Sequence, residues 1–268
     1  MKLRQAIELT SVAIRNMILG SNLTSLALAG NPKRMIAYVS ENLFLYKAMA
    51  SKRGIPPRNV FEVLPSSDVE TIRLGSLTAG GSWFRSQASY TADILSLCLI
   101  CRIIKPKAVF EIGTLNGYTT FHLALNTPDE AQVYTLDLPK SNNIRTSLPT
   151  TVVDDLHIQS HFQTERYCFE NSEVAAKITC LFGDSATFDF SPFYGKVDFF
   201  FIDGAHSYDY ARSDTLNALK CCHPGSVIAW HDFGRTGVNG VSKWIRELSR
   251  EREIYATRGG SLAFMIIK

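Results

Sequence analysis

The chain has 268 residues, of which 46% are hydrophobic, and a formal net charge of +3. Such a chain can bury the core of one α/β domain together with a small additional segment. The net charge is too small for a nucleic-acid-binding protein, which needs a clustered basic face. The densest basic run is Lys243–Glu253, where basic residues alternate with acids as they do on a solvated helix face. No stretch approaches the roughly 20 apolar residues of a membrane span. Neither nucleic acid nor a membrane is therefore expected as a partner.

Residues 1–80 are predicted to form an N-terminal helical extension, because their apolar residues recur at helical spacing in several pieces. Glu8 and Arg15 interrupt the apolar start of this extension, which argues against a secretory signal. Leu3–Ile18 is expected to be a helix that packs either on its own domain or on a second copy of the chain, in a homo-oligomer.

The six cysteines do not follow a metal-binding pattern. Cys98 and Cys101 form a C-x-x-C, but they lie inside the apolar helical run Ile94–Ile104, and no second pair offers the remaining ligands of a zinc site. We therefore expect buried, reduced thiols and a cytoplasmic location.

Residues 81–268 are predicted to form the main domain, which begins with a helix from about Ser86 to Ile104. Strands and helices alternate after it. Five near-continuous apolar runs are typical of parallel strands covered on both faces, and these are Ala108–Gly113, Gln132–Asp137, Lys177–Gly183, Val197–Asp203 and Ser226–Asp232. Two further runs, Ile254–Thr257 and Leu262–Lys268, predict a closing hairpin. The expected fold is α/β, with a Rossmann-like, seven-stranded, mostly parallel sheet that includes a terminal antiparallel strand.

The connection between the second and third predicted strands, Leu138–Ala176, is long and polar. Connections of this length without a regular pattern are often functional insertions, and a plain surface loop is the equal alternative.

The stretch Val109–Thr120, VFEIGTLNGYTT, combines an apolar strand, a glycine turn and the start of a helix. In a parallel α/β sheet this geometry places a nucleotide-like ligand at the carboxyl end of the strand, where Gly113 and Gly117 let the backbone approach it. Glu111 precedes the first glycine, and its carboxylate would repel the pyrophosphate of a dinucleotide. A ligand with a cationic amino-acid end would be attracted instead, and S-adenosylmethionine has such an end.

An acid ends nearly every predicted parallel strand. Because the carboxyl ends of parallel strands form one edge, these acids are expected to lie together and to repel one another unless a ligand or cation organises them. Asp137 is positioned to accept hydrogen bonds from a ribose diol, and Asp184, with Ser185, to reach an adenine edge; the alternative for Asp184 is a helix cap. The full set is Glu111, Asp137, Asp184, Asp203 and Asp232.

The last two predicted parallel strands carry the candidate acceptor chemistry. Asp203 and Asp232 end these strands, so their side chains can converge on a hard divalent cation such as Mg²⁺. His231 adjoins Asp232 as a third candidate ligand, although imidazole prefers softer metals and a structural role is the alternative. His206 follows Asp203 in the loop, where it can remove a proton from a substrate hydroxyl or, alternatively, cap the next helix.

From about Ser86 to Lys268 the sequence resembles the class I S-adenosylmethionine-dependent methyltransferases. EIGTLNGYTT is similar to their first, cofactor-binding motif, and the closing hairpin is similar to their reversed seventh strand. FIDGAHSYDYARSD and PGSVIAWHDF are similar to the small-molecule subgroup called methyltransferase family 24, which is related to macrolide-sugar and rhamnosyl O-methyltransferases. The resemblance implies that S-adenosylmethionine binds at Glu111, Gly113, Thr114, Gly117, Asp137, Asp184, Ser185 and Asp203.

The resemblance also implies a reaction, the transfer of a methyl group to a hydroxyl of a small molecule such as a sugar or a glycosylated natural product. In metal-dependent relatives, acids at the positions of Asp203, His231 and Asp232 hold Mg²⁺, and a histidine at the position of His206 is the base. Asp203 and His206 are thus the expected catalytic residues, while His231 departs from the acidic pattern. Two alternatives stay open: a metal-independent N- or O-methyltransferase, and a module that binds the cofactor without turnover. The missing G-x-G-x-x-G disfavours NAD-dependent oxidoreduction.

Overall fold

The computed structural model describes residues 55–75, 88–141, 145–162, 166–235 and 238–268. Most of the predicted N-terminal extension, including Leu3–Ile18, and the predicted boundary at residue 80 lie outside the described residues. Within the described ranges, no helix is long and apolar enough to cross a membrane.

Helices and strands alternate along the described chain, as the apolar runs predicted. The helices are α1 (Val60–Val63), α2 (Ala88–Ile104), α3 (Tyr118–Asn126), α4 (Val152–Phe162), α5 (Tyr208–Cys221) and α6 (Asn239–Leu248). The strands are β1 (Pro57–Arg58), β2 (Ala108–Ile112), β3 (Gln132–Asp137), β4 (Ile178–Phe182), β5 (Val197–Ile202), β6 (Cys222–Trp230), β7 (Tyr255–Thr257) and β8 (Ala263–Ile266). The predicted strands all occur close to their expected bounds, except that β6 begins earlier, at Cys222.

The described strands form one sheet in the order β1-β7-β8-β6-β5-β2-β3-β4. Strands β2 to β6 pair in parallel with one another, whereas β8 pairs antiparallel with both β6 and β7. The seven predicted strands are therefore present, and an eighth, β1, pairs with β7 at the edge. Proline has no backbone N–H and is confined to such edge positions, which is why the sequence around Pro57 did not predict a strand.

The direction of the sheet order reverses between β2 and β5. From β2 the chain proceeds outward to β3 and β4, and it then returns to build β5 and β6 on the other side. In sheets of this kind the loops that leave the two central strands diverge and leave a crevice at the carboxyl ends of the strands. The candidate site lies at this edge.

Large apolar side chains fill both faces of the two central strands. On one face, Phe110 of β2 stacks on Phe200 of β5 with ring centroids 4.9 Å apart. On the other face, Val109 packs in a cluster with Phe199 and Phe201. Burial of each such side chain contributes about 1.5–3 kcal/mol, so the strand ends project from a rigid core.

The end of β6 is fixed by a single hydroxyl group. Trp230, the last residue of β6, and Trp244 of α6 both donate their indole N–H to the Thr215 Oγ1 of α5, at 2.8 and 2.9 Å. Thr215 and Trp230 are fully buried and Trp244 nearly so. This contact holds the strand end from which His231 and Asp232 follow.

Candidate active site at the carboxyl edge of the sheet

The predicted glycine turn, residues 113–117, joins β2 to α3, contacts the end of β5 and is called the ligand turn below. Gly113 has φ = 100° and Gly117 has φ = 76°, so both adopt left-handed backbone. A Cβ at Gly113 would lie 2.1 Å from the backbone oxygen of Asp203, and one at Gly117 would lie 2.4 Å from the Phe169 ring. The glycines are therefore required for contacts within the protein, and these contacts bring the turn against Asp203.

Glu111 is fully buried beneath this turn and is not open to solvent. Its Oε2 accepts hydrogen bonds from the hydroxyls of Thr120 and, at 2.6 Å, Thr135, which is its register partner on β3. The Thr135 hydroxyl also lies 2.6 Å from that of Thr114. The other oxygen, Oε1, has no hydrogen-bond partner among the described residues. Burial raises the pKa of Glu111 to about 8, against the lowering effect of the two hydroxyls.

Asp137 ends β3, as predicted, and holds the ligand turn. Its Oδ2 accepts the backbone N–H of Leu115 and its Oδ1 that of Leu138, each at 2.7 Å. Leu115 has φ = 49°, an uncommon conformation for a residue with a side chain, and the hydrogen bond to Asp137 stabilises it. Asp137 therefore fixes the shape of the turn at the place where a ribose contact was predicted.

Asp184 follows β4, and both of its oxygens accept protein hydrogen bonds. Oδ2 accepts from the backbone N–H of Ser147 at 2.6 Å, and Oδ1 accepts from the Ala186 N–H at 2.9 Å and the Tyr210 hydroxyl at 2.8 Å. Burial raises the pKa of Asp184, but these hydrogen bonds outweigh it and keep the pKa below its ordinary value. Asp184 thus acts as a turn residue and as an anchor for residue 147, with Ser185 buried beside it.

The described parts of the long connection 138–176 contact several loops of the site. At its start, Ser147 binds Asp184. In α4, Asp154 binds His206. Near its end, the Cys168 N–H donates to the Asn116 carbonyl of the ligand turn at 3.0 Å. Because the connection contacts the loops after β2, β4 and β5, it forms a wall of the candidate site.

His206 lies between two carboxylates, one on each ring nitrogen. Nδ1 is 2.5 Å from Asp154 Oδ1, and Nε2 is 2.6 Å from Asp232 Oδ2. The backbone N–H of His206 also donates to Asp154 Oδ1 at 2.9 Å. Burial lowers the pKa of His206, but the two carboxylates outweigh it and raise the pKa to about 10. His206 is therefore an imidazolium ion at neutral pH in this arrangement.

His231 bridges three carboxylates. Nδ1 lies 3.1 Å from Asp203 Oδ1 and 3.3 Å from Asp232 Oδ1, while Nε2 lies 3.2 Å from Asp93 Oδ2. Burial lowers the pKa of His231, but the charges of Asp203 and Asp232 outweigh it and raise the pKa well above its ordinary value.

Three charged residues of this cluster were not predicted from the sequence. Asp93 comes from α2 and Asp154 from α4, where each lies in a helix pattern that gives no sign of an active-site contact. Arg235 follows β6 and donates from Nη1 to Asp232 Oδ1 at 2.8 Å. Asp232 itself has φ = 62°, and such strained backbone is typical of functional sites.

The contacts of these acids and histidines bear on the predicted metal site. Ligand atoms of Asp203, His206 and Asp232 lie within 4.8 Å of one another, and the predicted third ligand, His231, also contacts both carboxylates. Both nitrogens of each imidazole, however, already face carboxylate oxygens, and Asp232 accepts from the cationic Arg235 as well. This arrangement fits a divalent cation poorly, because a metal ligand must present a lone pair.

Part of the chain matches a known protein family. Residues 110–233 match the family model of a methyltransferase domain, a stretch of somewhat less than half the chain that contains the ligand turn, His206 and Asp232. No curated protein sequence matches the chain. Residues 110–233 are thus similar to a methyltransferase domain, in agreement with the predicted resemblance to the S-adenosylmethionine-dependent methyltransferases. The matching model is that of methyltransferase family 24, the subgroup that the motifs around Asp203 and Asp232 resemble.

Two of the solved structures to which the chain is similar are O-methyltransferases. The O-methyltransferase TomG from Streptomyces achromogenes, involved in tomaymycin synthesis and solved with SAM, is 18% identical, with 84% of this chain and 89% of that chain covered and a TM-score of 0.45. The O-methyltransferase from Bacillus cereus, solved with SAH, is also 18% identical, with 86% and 100% covered and a TM-score of 0.48.

Proposed function

We propose that this protein transfers a methyl group from S-adenosylmethionine to a hydroxyl oxygen of a small molecule. The observation that carries the proposal is the direct contact between the ligand turn and the acid–histidine cluster. Gly113 packs on the backbone of Asp203, whose N–H donates to the Ile112 carbonyl at 2.9 Å. A cofactor bound over the turn and an acceptor bound at Asp203 would therefore be neighbours, and methyl transfer needs that proximity above all.

The cofactor side of the site is assigned to the residues that the sequence predicted. Bound S-adenosylmethionine supplies a methyl group on a positively charged sulfur. The unpartnered Oε1 of Glu111 is proposed to attract the cationic amino-acid end of the cofactor, with a backbone group or a water molecule bridging the two. Asp137 is the proposed partner of the ribose diol, and the loop at Asp184 and Ser185 that of the adenine edge. The turn that contains Gly113, Thr114 and Gly117, next to Asp203, is proposed to contact the methionine portion.

Asp203 is the proposed contact for the acceptor hydroxyl. Its side chain is 23% exposed, whereas those of Asp154 and Asp232 are at most 8% exposed, so Asp203 is the carboxylate of this group that an acceptor can reach. An ionised carboxylate can accept the hydrogen bond of the attacking hydroxyl and take its proton as the new bond to carbon forms. His231 holds the Asp203 Oδ1 in place for this role.

His206 was predicted to be the general base, and its contacts favour a different contribution. A base must offer a lone pair, and both nitrogens of His206 lie within hydrogen-bonding distance of carboxylates. As an imidazolium it instead neutralises Asp232 and fixes α4 against the loop after β5. We propose that removal of His206 lowers the rate through this positioning effect and leaves cofactor affinity largely unchanged.

The acceptor class follows from the family resemblance, which favours a sugar or a glycosylated natural product. The open alternatives are a nitrogen acceptor and a module that binds cofactor without turnover. The pairing of an exposed carboxylate with a buried imidazole argues for turnover, since a binding module has no need of a proton acceptor beside the cofactor turn.

Two measurements test the proposal. Calorimetry should detect S-adenosylmethionine binding and no NAD binding, and absence of the former would refute it. Turnover is then measured with a panel of hydroxylated small molecules, in wild type and in Asp203→Asn and His206→Ala. Asp203→Asn should lose at least about 100-fold in rate, as removal of a positioned acid–base group does. His206→Ala should also lose rate, because Asp232 and α4 lose the imidazolium that positions them, and both variants should keep cofactor affinity within about threefold. His223→Ala, a change at a half-exposed histidine outside the cluster, is the matched control and should keep full activity.

A further inference from the structure

The His231 ring lies between Asp203 and Asp232, the two strand-end carboxylates that a metal-dependent site would use to hold its cation. His231 lies between Asp203 and Asp232, with Nδ1 at 3.1 and 3.3 Å from one oxygen of each. Two strand-end carboxylates held by one central positive group are the arrangement that a divalent cation produces. Here the central group belongs to the chain itself.

The other ring nitrogen of His231, Nε2, also faces a carboxylate. Nε2 faces Asp93 Oδ2 at 3.2 Å, and Asp93 is held by the two residues that precede β8. Its Oδ1 accepts the N–H of Ser261 at 2.8 Å and of Leu262 at 3.2 Å, and its Oδ2 accepts the Ser261 hydroxyl at 2.7 Å. A ring with a carboxylate on each nitrogen is a double donor, and it has no lone pair left for a metal.

The charges of the cluster also balance closely without an added ion. Four carboxylates, Asp93, Asp154, Asp203 and Asp232, face three cationic side chains, His206, His231 and Arg235. One net negative charge remains. A divalent cation would reverse that sign and would have to displace a buried hydrogen-bonded partner, which is costly in a low-dielectric site.

We propose that His231 replaces the divalent cation of this site: it bridges Asp203 and Asp232, orients Asp203 toward the acceptor, and makes methyl transfer independent of metal. The catalytic half of this statement rests on the proposed function, whereas the structural half concerns metal binding alone. The two halves can therefore fail separately.

Metal binding is tested on the full-length protein with Mn²⁺, read by electron paramagnetic resonance, and with Mg²⁺ by calorimetry. Wild type should show no saturable binding up to about 1 mM, the weak end of protein cation sites. His231→Glu replaces the bridging donor by a third carboxylate, and it should bind Mn²⁺ at least about tenfold more tightly than wild type. His231→Gln, which removes the charge but adds no acid, should not gain binding.

His223→Glu is the matched control, because His223 also lies beside a carboxylate, Asp198, at 3.1 Å, yet outside the cluster. It should bind Mn²⁺ no better than wild type. Saturable Mn²⁺ binding by wild type that weakens in His231→Gln would overturn the proposal. So would a folded, cofactor-binding His231→Glu that gains no affinity for Mn²⁺.

Activity separates this inference from the proposed function. If wild type methylates an acceptor, EDTA should leave its rate within about twofold, and loss of rate that Mg²⁺ restores would overturn the metal-independent step. If wild type neither binds S-adenosylmethionine nor turns over, the proposed function fails, while the Mn²⁺ comparison of wild type with His231→Glu still supports or overturns the role of His231.

Discussion

Glu111→Gln should flatten the pH dependence of stability. Glu111 is fully buried, and burial raises its pKa from 4.5 to about 8. Between these two values the unfolded chain has released the proton and the folded chain retains it, so the unfolded state binds fewer protons. The free energy of unfolding must then fall as pH rises, by about 1.4 kcal/mol per pH unit for this one group.

The size of the effect follows from that interval. Between pH 5 and pH 8, Glu111 alone should remove about 3 to 4 kcal/mol of stability from wild type. A glutamine is neutral throughout, its carbonyl can accept from the Thr120 and Thr135 hydroxyls, and its amide takes the place of the unpartnered Oε1. The variant should equal wild type within about 1–2 kcal/mol at pH 5 and exceed it by about 3 kcal/mol at pH 8.

Urea unfolding at pH 5, 6.5 and 8 measures these free energies by linear extrapolation. Asp214 is also fully buried, with a pKa raised by burial to about 7, so the informative quantity is the difference between variant and wild type rather than the slope of either. Glu251→Gln, the same change at an exposed residue, should shift stability by no more than about 0.5 kcal/mol at any pH. Parallel curves for wild type and Glu111→Gln across this range would refute a neutral Glu111. The variant should also bind S-adenosylmethionine more weakly, since Glu111 can ionise when the ammonium group of the cofactor binds, whereas an amide cannot.

Three further changes test other parts of the site. Asp154→Asn removes one carboxylate from His206 and should destabilise the fold by about 3 kcal/mol at pH 6. A histidine with a raised pKa contributes its full stabilisation below pH 6.5 and loses it as pH rises through about 10. The difference in unfolding free energy between wild type and variant, measured in urea, should therefore shrink toward pH 10. Gly113→Ala should destabilise the fold by about 3–5 kcal/mol in thermal unfolding, because φ is positive there and the new Cβ would overlap the backbone of Asp203 after β5. Gly195→Ala is the control: φ is also positive but the space around it is open, so the loss should be only about 1–2 kcal/mol. Thr215→Val leaves two buried indole N–H groups without their acceptor and should lower the unfolding free energy by about 2–4 kcal/mol, and an unchanged midpoint would contradict the role given to this hydroxyl.

The strands, the ligand turn and the strand-end acids could be predicted because their signals are local. β3 occurs at the predicted bounds, Gln132–Asp137, since a buried parallel strand needs a continuous apolar run and ends where polar residues begin. The turn after Glu111 was readable because glycine is required wherever φ is positive and the backbone approaches a neighbour closely. In each case a few adjacent residues carry the whole constraint.

The partners of the histidines could not be predicted, because they are distant in sequence and their own surroundings are unremarkable. Asp93 is 138 residues from His231 and lies in an apolar helix, and Asp154 is 52 residues from His206 in the polar connection. A buried acid in such a helix signals only that some partner exists. Which partner it has depends on how α2 and α4 pack against the sheet edge, and no local pattern encodes that packing.

The strand-end acids were expected to need a ligand or a cation to hold them together, and the described contacts give each a protein partner instead. Backbone N–H groups hold Asp137 and part of Asp184, hydroxyls hold one oxygen of Glu111, and imidazoles and a guanidinium hold Asp203 and Asp232. A site whose charges are already matched does not reorganise when a ligand arrives, which is the condition for strong electrostatic preorganisation. What remains is one unpartnered oxygen on Glu111 and one solvent-reachable carboxylate on Asp203. Glu111 lies on β2 and Asp203 directly follows the adjacent central strand β5, where a cationic cofactor and a hydroxyl acceptor would meet.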